Sequence, residues 1–503
     1  MKRRAFVRSA VLASTVGLVP RDDAFAALFR PAGRLPQDLE GVTGDGTRVT
    51  LSGRAVSDLR VALRGRLLLA GNDGYDDARR ILNPSFDKHP ALIVQPTAVA
   101  DIRTAVDFAR DNGGLLLAVK CGGHSFSGQS TCDRGMQIDL SLFRDVRVDP
   151  AARRAWVTGG SLLGHVDHET MAFDLATPLG TVSHTGVGGL VTGGGFGRLA
   201  RRFGLSVDNL AAADVVTADG RFRHASDDEH PDLFWGVRGG GGNFGIVTSF
   251  ELRLHPMQRQ VMAGQIAHPI SRAREGMRIY ADYANVAPDE LTLNCGIGRQ
   301  LGGAEAMFAF FVCWSGPPAN VERVLAPIRR LGTPIADTVR PRDYVAVQRS
   351  GDESDRRVRA TYLKSGFVRS LPSDLIDAIV DGFRGDPRRG GGTLIESAGG
   401  AIARVAPDAT AFAQRDVHSN VISTVFWRFG EEDGAGHVQW LREYWAAIEP
   451  STYGFYVNNM PVDTDAAAIH ANYRANRERL VAVKNRYDPE NLFRLNANVK
   501  PTV

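Results

Sequence analysis

From Pro90 onward the chain alternates short apolar runs with amphipathic stretches, and this alternation predicts its elements. Ala91-Leu92-Ile93-Val94 is a continuous apolar run with the length of a buried strand. Thr97 stands where a cap belongs before a helix from Ala98 to Asn112, whose apolar residues recur at 102, 105, 106 and 109. Gly113-Gly114 stops that helix, and Leu115 to Val119 reads as the next strand. Gln137 to Leu140 and Ala155 to Thr158 read as further strands, Ser161 to Ala172 as a helix, Asp232 to Val237 as a short helix and Ile246 to Leu254 as a strand. Beyond Pro256 longer strands, among them Ala306 to Trp314 and Val421 to Arg428, alternate with helices near 271–285, 318–332, 373–385 and 434–449. That half predicts an α+β segment with a large antiparallel sheet. The tail, Ala466 to Tyr487, reads as one long charged amphipathic helix. Residues 27 to about 88 show little regular pattern beyond a turn cluster at Gly71-Asn72-Asp73-Gly74-Tyr75.

Three glycine-rich stretches interrupt this pattern. The first, Lys120-Cys121-Gly122-Gly123-His124-Ser125-Phe126-Ser127-Gly128, sets one imidazole among glycines directly after a strand. The second runs from Gly180 to Gly197, and the third from Arg238 to Gly245. A helix interior loses roughly 1 kcal/mol for each glycine replacing alanine, so packed regular elements are not expected there. Val182, Val187, Leu190 and Val191 are too apolar for a flexible linker, which leaves loops that lie against a cofactor.

Composition sharpens the picture by exclusion. A chain of 503 residues with 43% hydrophobic and 23% charged residues has ample core for two or more domains. The formal charge of +4 is mostly a property of the N-terminus, where five basic residues face two acidic ones within the first 26, so no basic surface for nucleic acid is indicated. No apolar run has the length of a membrane span, and no stable membrane anchoring is expected. Cys121, Cys132, Cys295 and Cys313 form no CxxC pair, and one bridge among them is possible. Arg3-Arg4-Ala5-Phe6-Val7-Arg8, the mild apolar segment Ser9 to Pro20 and Ala24-Phe25-Ala26 read as a twin-arginine signal over 1–26 with a small-x-small cleavage site. The twin-arginine export machinery is thus an expected partner, the destination periplasmic or extracellular.

Several chemistries are excluded by context. Gly240, Gly242 and Gly245 satisfy GxGxxG, but a helix precedes and a strand follows, the reverse of a Rossmann nicotinamide site. No phosphate loop of the type GxxxxGK[ST] and no GxSxG nucleophile elbow occurs. His165 and His168 lack the spacing and third ligand of a zinc site and read as surface residues; no metal is expected.

The three glycine clusters together resemble the family of FAD-linked oxidases with the vanillyl-alcohol-oxidase type of flavin domain. Within it the match is to the berberine-bridge-enzyme-like branch. The resemblance is carried by Lys120 to Ser125, by Gly180 to Gly197, by Asp232-Leu233-Phe234-Trp235-Gly236-Val237-Arg238 running into the third cluster, and by Asn472-Tyr473-Arg474 through Lys484-Asn485-Arg486-Tyr487-Asp488-Pro489-Glu490-Asn491-Leu492-Phe493. It implies an α+β protein: a two-subdomain FAD-binding domain at 90–256, led in by 27–89 and completed by 456–503, with a substrate domain at 257–455 carrying a large antiparallel sheet.

The resemblance also implies site roles. His124 takes the position that bonds the flavin 8α-methyl group. Val182 takes the position of the family's second, cysteine tether, so one covalent link is expected, as in singly tethered bacterial members. The FAD diphosphate is expected over the backbone amides of the 120–126 loop, where successive N–H groups suit an anion, with Cys121, Gly122, Gly123, Ser125, Phe126 and Gly128 among the expected cofactor-binding residues. Thr181, Gly186, Gly189, Gly193, Gly245, Ile246, Asn458 and Asn491 complete the expected cofactor-binding set. Thr185 stands beside the reactive face of the ring, and its small side chain points to molecular oxygen as acceptor. His184, close to the same face, is open to a catalytic or a hydrogen-bonding role. Tyr456-Val457-Asn458 matches the family's Tyr-x-Asn motif, but Asn459 stands where relatives often carry a tyrosine. Tyr456, Tyr453 and Tyr362 therefore remain as candidate bases, with Asn458 beside the substrate. The implied activity is hydride transfer from a C–H of an alcohol, sugar or amine to FAD, with hydrogen peroxide as the reduced product; a dehydrogenase or a silent flavin-bearing protein are the alternatives.

Overall fold

The computed structural model describes residues 37–303, 305–352, 359–383, 389–430 and 434–503. The twin-arginine reading of 1–26 lies outside the described residues. The architecture is α+β, with a two-subdomain flavin region and a second unit built on a large antiparallel sheet.

A four-stranded sheet begins the flavin region, in the order Arg66–Leu68, Leu92–Gln95, Met136–Asp139, Leu117–Lys120. The last three strands are parallel and the first is antiparallel. The helix Val99–Asp111 covers this sheet, with Ile102, Ala105, Val106 and Ala109 fully buried as the periodicity predicts. Thr97 does not cap it. The N-cap is Ala98, and the carboxylate of buried Asp101 instead accepts from the backbone N–H groups of Thr97, Arg64 and Gly65.

The lead-in departs from expectation. A hairpin of Leu39–Val42 and Arg48–Leu51, the helix Gly53–Ala62 and the strand Arg66–Leu68 are all regular. Their apolar residues, Leu51, Val56, Leu59 and Leu67, join the core formed by Leu92, Ile102 and Ile138. Elements of three to ten residues leave too few repeats for a period to show in sequence.

A five-stranded antiparallel sheet follows, ordered Phe222–Ser226, Leu210–Val216, Ile246–Arg253, Arg154–Thr158, Val146–Asp149. The second unit holds an eight-stranded sheet whose central strands are Met307–Trp314, Leu291–Arg299, Gly390–Ser397 and Ser419–Arg428, with Arg359–Val368 at one edge. Helices Ala273–Tyr283, Val321–Arg329, Ser373–Gly382 and Ala435–Ala446 pack on one face of it through a single large apolar cluster. The other face looks toward the flavin region.

Two further expectations change. The tail is not one helix: Ala466–Asn472 and Arg477–Tyr487 are separated at Arg474, whose φ is +50°. Side chains on both sides of the break are committed elsewhere, Asn472 accepting from the Phe455 N–H and Asn476 donating to the carbonyls of Pro407 and Thr410. No disulfide forms, since all four cysteines are free. Among the described residues no helix is long and apolar enough to cross a membrane.

Candidate active site

The glycine clusters converge on one cavity of about 970 Å³ between the flavin region and the large sheet. This is at the upper end of the roughly 300–1,000 Å³ typical of ligand sites, room for a large cofactor with a small substrate. Cys121, Gly122, Gly123, His124, Ser125 and Phe126 line it from the first cluster, and Thr181, Val182, Thr185, Gly186 and Gly189 from the second. Gly245 and Ile246 line it from the third, and Tyr456 and Asn458 from the C-terminal segment.

The first two clusters meet backbone to backbone. A Cβ on Gly122 would overlap the Gly186 nitrogen and press on the His184 carbonyl, so any side chain there would force the loops apart. The second cluster is not loop throughout, because Val187–Gly193 winds into a short helix. Its glycines serve close approach: a Cβ on Gly188 would crowd the Gly159 carbonyl, and one on Gly193 would overlap the Asn458 amide.

His124 is half-buried and lines the cavity. Its Nε2 lies 2.6 Å from His184 Nδ1, and its Nδ1 lies 3.5 Å from Thr185 Oγ1. Burial first, and then the neighbouring His184, hold the His124 imidazole down to about 3, so the ring is neutral at ordinary pH. The loop behind His184 is clamped from the second unit, since Ser183 donates its N–H (3.1 Å) and hydroxyl (2.5 Å) to the Asp352 carboxylate.

Tyr456 is buried against Phe196 and Phe412. Its hydroxyl oxygen accepts from the Gly195 N–H and from Asn458 Nδ2, each at 2.8 Å. Gly195, which donates that N–H, has φ +91°, a left-handed conformation that glycine adopts without strain. Burial nevertheless pushes the phenol up to about 12. Tyr362 and Tyr453 are not at the site. On the strand Arg359–Val368, Thr361 and Leu363 face the cavity, and the alternation puts Tyr362 on the opposite face, donating to Asp463 at 2.8 Å. Tyr453 is 47% exposed beneath the Arg369 guanidinium.

Three expected cofactor residues fall outside the lining. Gly128 forms the end of the first loop against the Phe86 ring. Gly193 is covered by Asn458. Asn491 is a turn residue with φ +55° whose N–H donates to the Asp488 carbonyl. In its place the tail brings Phe493, Asn496 and Ala497 to the cavity.

The wall opposite the cradle went unread in the sequence. Phe311, Leu394, Ile422 and Phe426 make it apolar, with Thr361, Thr424, Arg359 and Glu396 as its polar groups. Glu396 is the chemically important one. Asn420 Nδ2 donates to its carboxylate at 3.2 Å, and burial pushes its carboxyl up to about 7. The available signal was a lone carboxylate following Thr393-Leu394-Ile395 on a strand that opens with Gly390-Gly391-Gly392.

The residues present suit a flavin dinucleotide. Close-packed glycine loops form a cradle that side chains would fill, and Ser130 Oγ and Asn496 Oδ1, both in residues that line the cavity, are buried with no partner among the described residues. Among the described residues no cluster of three metal-ligating side chains occurs.

Comparison with known proteins agrees with this geometry. Residues 90–226 match the FAD binding domain family and residues 455–500 the berberine and berberine-like family. An FAD-linked oxidoreductase of Dictyostelium discoideum is 30% identical over 450 residues, 89% of this chain and 97% of that one. (R)-6-hydroxynicotine oxidase of Paenarthrobacter nicotinovorans is 30% identical over 452 residues, 88% of this chain and 98% of that one. The solved structure of glucooligosaccharide oxidase from Acremonium strictum, with its 6-S-cysteinyl, 8α-N1-histidyl FAD, superposes with a TM-score of 0.81 at 26% identity, covering 89% of this chain and 99% of that one.

Proposed function

Because the chain belongs to the berberine-like family of FAD-linked oxidoreductases, we propose that it oxidises a C–H of an alcohol, sugar or amine, with dioxygen as acceptor and hydrogen peroxide as product. FAD in the cradle supplies the two-electron acceptor and the route to dioxygen. The observation that carries the reading is Glu396, a carboxylate that lines the cavity on the wall opposite the glycine cradle and is raised to about 7. In its ionised form it takes the O–H or N–H proton of the substrate as the C–H is oxidised. Tyr456, raised to about 12, keeps its proton and does not act as the base; it holds Asn458 and the Gly195 backbone in place.

His124 is the single covalent anchor. Val182 lines the cavity and has no sulfur, and the Cys121 thiol, pushed up to about 11 by desolvation, packs against Gly186. The small Thr185 beside His124 leaves the ring face open to dioxygen. The Arg3-Arg4 leader supports export of the folded, loaded protein to the periplasm or beyond, which N-terminal sequencing of the exported form checks by cleavage after Ala26.

Peroxide released in air from a panel of sugars, amines and aromatic alcohols tests the reaction. Anaerobic bleaching of the flavin with rapid recovery in air is the expected course; slow recovery would mark a dehydrogenase, and no bleaching by any compound a silent binding protein. A denaturing gel imaged under ultraviolet light tests the anchor: the wild-type band fluoresces and the His124→Ala band does not.

A further inference from the structure

Two histidines from different glycine loops meet at the head of the cavity. His124 Nε2 and His184 Nδ1 are 2.6 Å apart, with ring centroids 4.7 Å apart and planes tilted by 39°. A neutral imidazole carries one N–H. When that hydrogen sits on His124 Nε2 it is donated to His184 Nδ1, and the lone pair of His124 Nδ1 is left facing Thr185 Oγ1 at 3.5 Å, too far for a good hydrogen bond. The contact fits the tautomer in which Nδ1 is the nucleophile, and attack on the flavin requires that tautomer. His184 is held by its neighbour, since Asp352 accepts both the N–H and the hydroxyl of Ser183. His184 itself is only half-buried, so a proton reaching it has a way to water.

We propose that His184 is the proton acceptor that completes covalent attachment of FAD through Nδ1 of His124, an inference that rests on the single-anchor reading above. His124 Nδ1 forms a bond to the 8α-carbon, and a C–H bond of that methyl group breaks. Its proton leaves and its electron pair stays in the isoalloxazine, which is thereby reduced by two electrons. The Nε2 proton of His124 passes to His184 Nδ1 and on to water. The reduced ring takes up two protons in exchange and gives two electrons and two protons to dioxygen, forming hydrogen peroxide. Without His184 the attack would leave an imidazolium where desolvation already disfavours the charged ring. Among the described residues Asp352 is the carboxylate that favours a charged His124 ring, and it is already engaged by Ser183.

The test follows attachment in the full chain supplied with FAD, read as the fluorescent band on a denaturing gel and as the mass gain of one FAD. His184→Ala should hold FAD through gel filtration yet attach it roughly 10²-fold more slowly at neutral pH. Raising the pH or adding free imidazole should restore the rate. His184→Gln, which keeps a hydrogen-bond acceptor but takes up no proton, should show the same delay and guards against a folding defect in the alanine variant. Attachment at the wild-type rate in either variant, or no rescue by imidazole, overturns the assignment. A wild-type band that never fluoresces overturns the single-anchor reading instead.

Discussion

At the scale of single residues, chemistry here is decided by which side of a strand a side chain occupies. Tyr362 and Thr361 are neighbours in sequence, yet only Thr361 reaches the cavity. The family resemblance points to the tyrosines, whereas Glu396 is marked in sequence only as a lone carboxylate on a strand that opens with glycines. Burial and one amide hydrogen bond from Asn420 set its carboxyl at about 7. Glu396→Gln should lower kcat by about 10²- to 10⁴-fold while leaving the fluorescent flavin band intact. The wild-type rate should rise with pH through about 7, because the carboxylate is the proton-accepting form, and steady-state profiles of the variant should lack that limb. A rate loss below threefold would remove Glu396 from the mechanism.

At the scale of elements, the cradle depends on two loops whose backbones touch. Gly122 and Gly186 leave no space for a Cβ between them, and the short helix Val187–Gly193 is glycine-rich because Gly159 and Asn458 press on it from two sides. Helix propensity argues against such a helix, and tertiary packing overrides it. Gly122→Ala should cost about 1–3 kcal/mol of stability through forced displacement of the loops and should release FAD during gel filtration. Thermal unfolding and the ratio of flavin to protein absorbance measure the two effects separately. The broken tail has a related cause: Arg477–Tyr487 is anchored by Lys484, which donates to the carbonyls of Asn243 and Phe493 at 2.8 and 2.9 Å.

At the scale of the whole molecule, two buried polar contacts hold distant parts of the chain together. Lys484 and Asp488 form a fully buried ion pair at 2.6 Å that fastens the C-terminal segment onto the third glycine cluster. Lys484→Ala leaves Asp488 uncompensated and should destabilise the protein by about 3–5 kcal/mol in denaturant titration. Gln348, from the second unit, donates to the Gly180 carbonyl at 2.7 Å and to the buried Asp167 carboxyl at 3.3 Å. Burial raises Asp167 from 3.8 to about 7, so the folded state favours the protonated acid. Below 3.8 both folded and unfolded chains hold the proton. Between 3.8 and about 7 only the folded chain does, so the contribution of Asp167 to stability falls across that window and stays low above it. Asp167→Asn should therefore raise stability by a few kcal/mol at pH 8 and by little at pH 4, as melting temperatures at the two values would show.

Local pattern alone determined the strands on either side of Val99–Asp111, the helix-before-strand order that rules out a Rossmann site, and the glycine loops that line the cavity at His124, Val182 and Thr185. These features depend on residues close in sequence, where periodicity and glycine content report directly on backbone conformation. Tertiary structure decided the rest. The pairing of His124 with His184 spans 60 residues, the substrate wall draws on several separate strands, and the proton affinity of Glu396 comes from the burial of a carboxylate beneath elements remote in the chain. Burial and juxtaposition depend on how the sheets close over one another, a quantity that no short window of sequence contains.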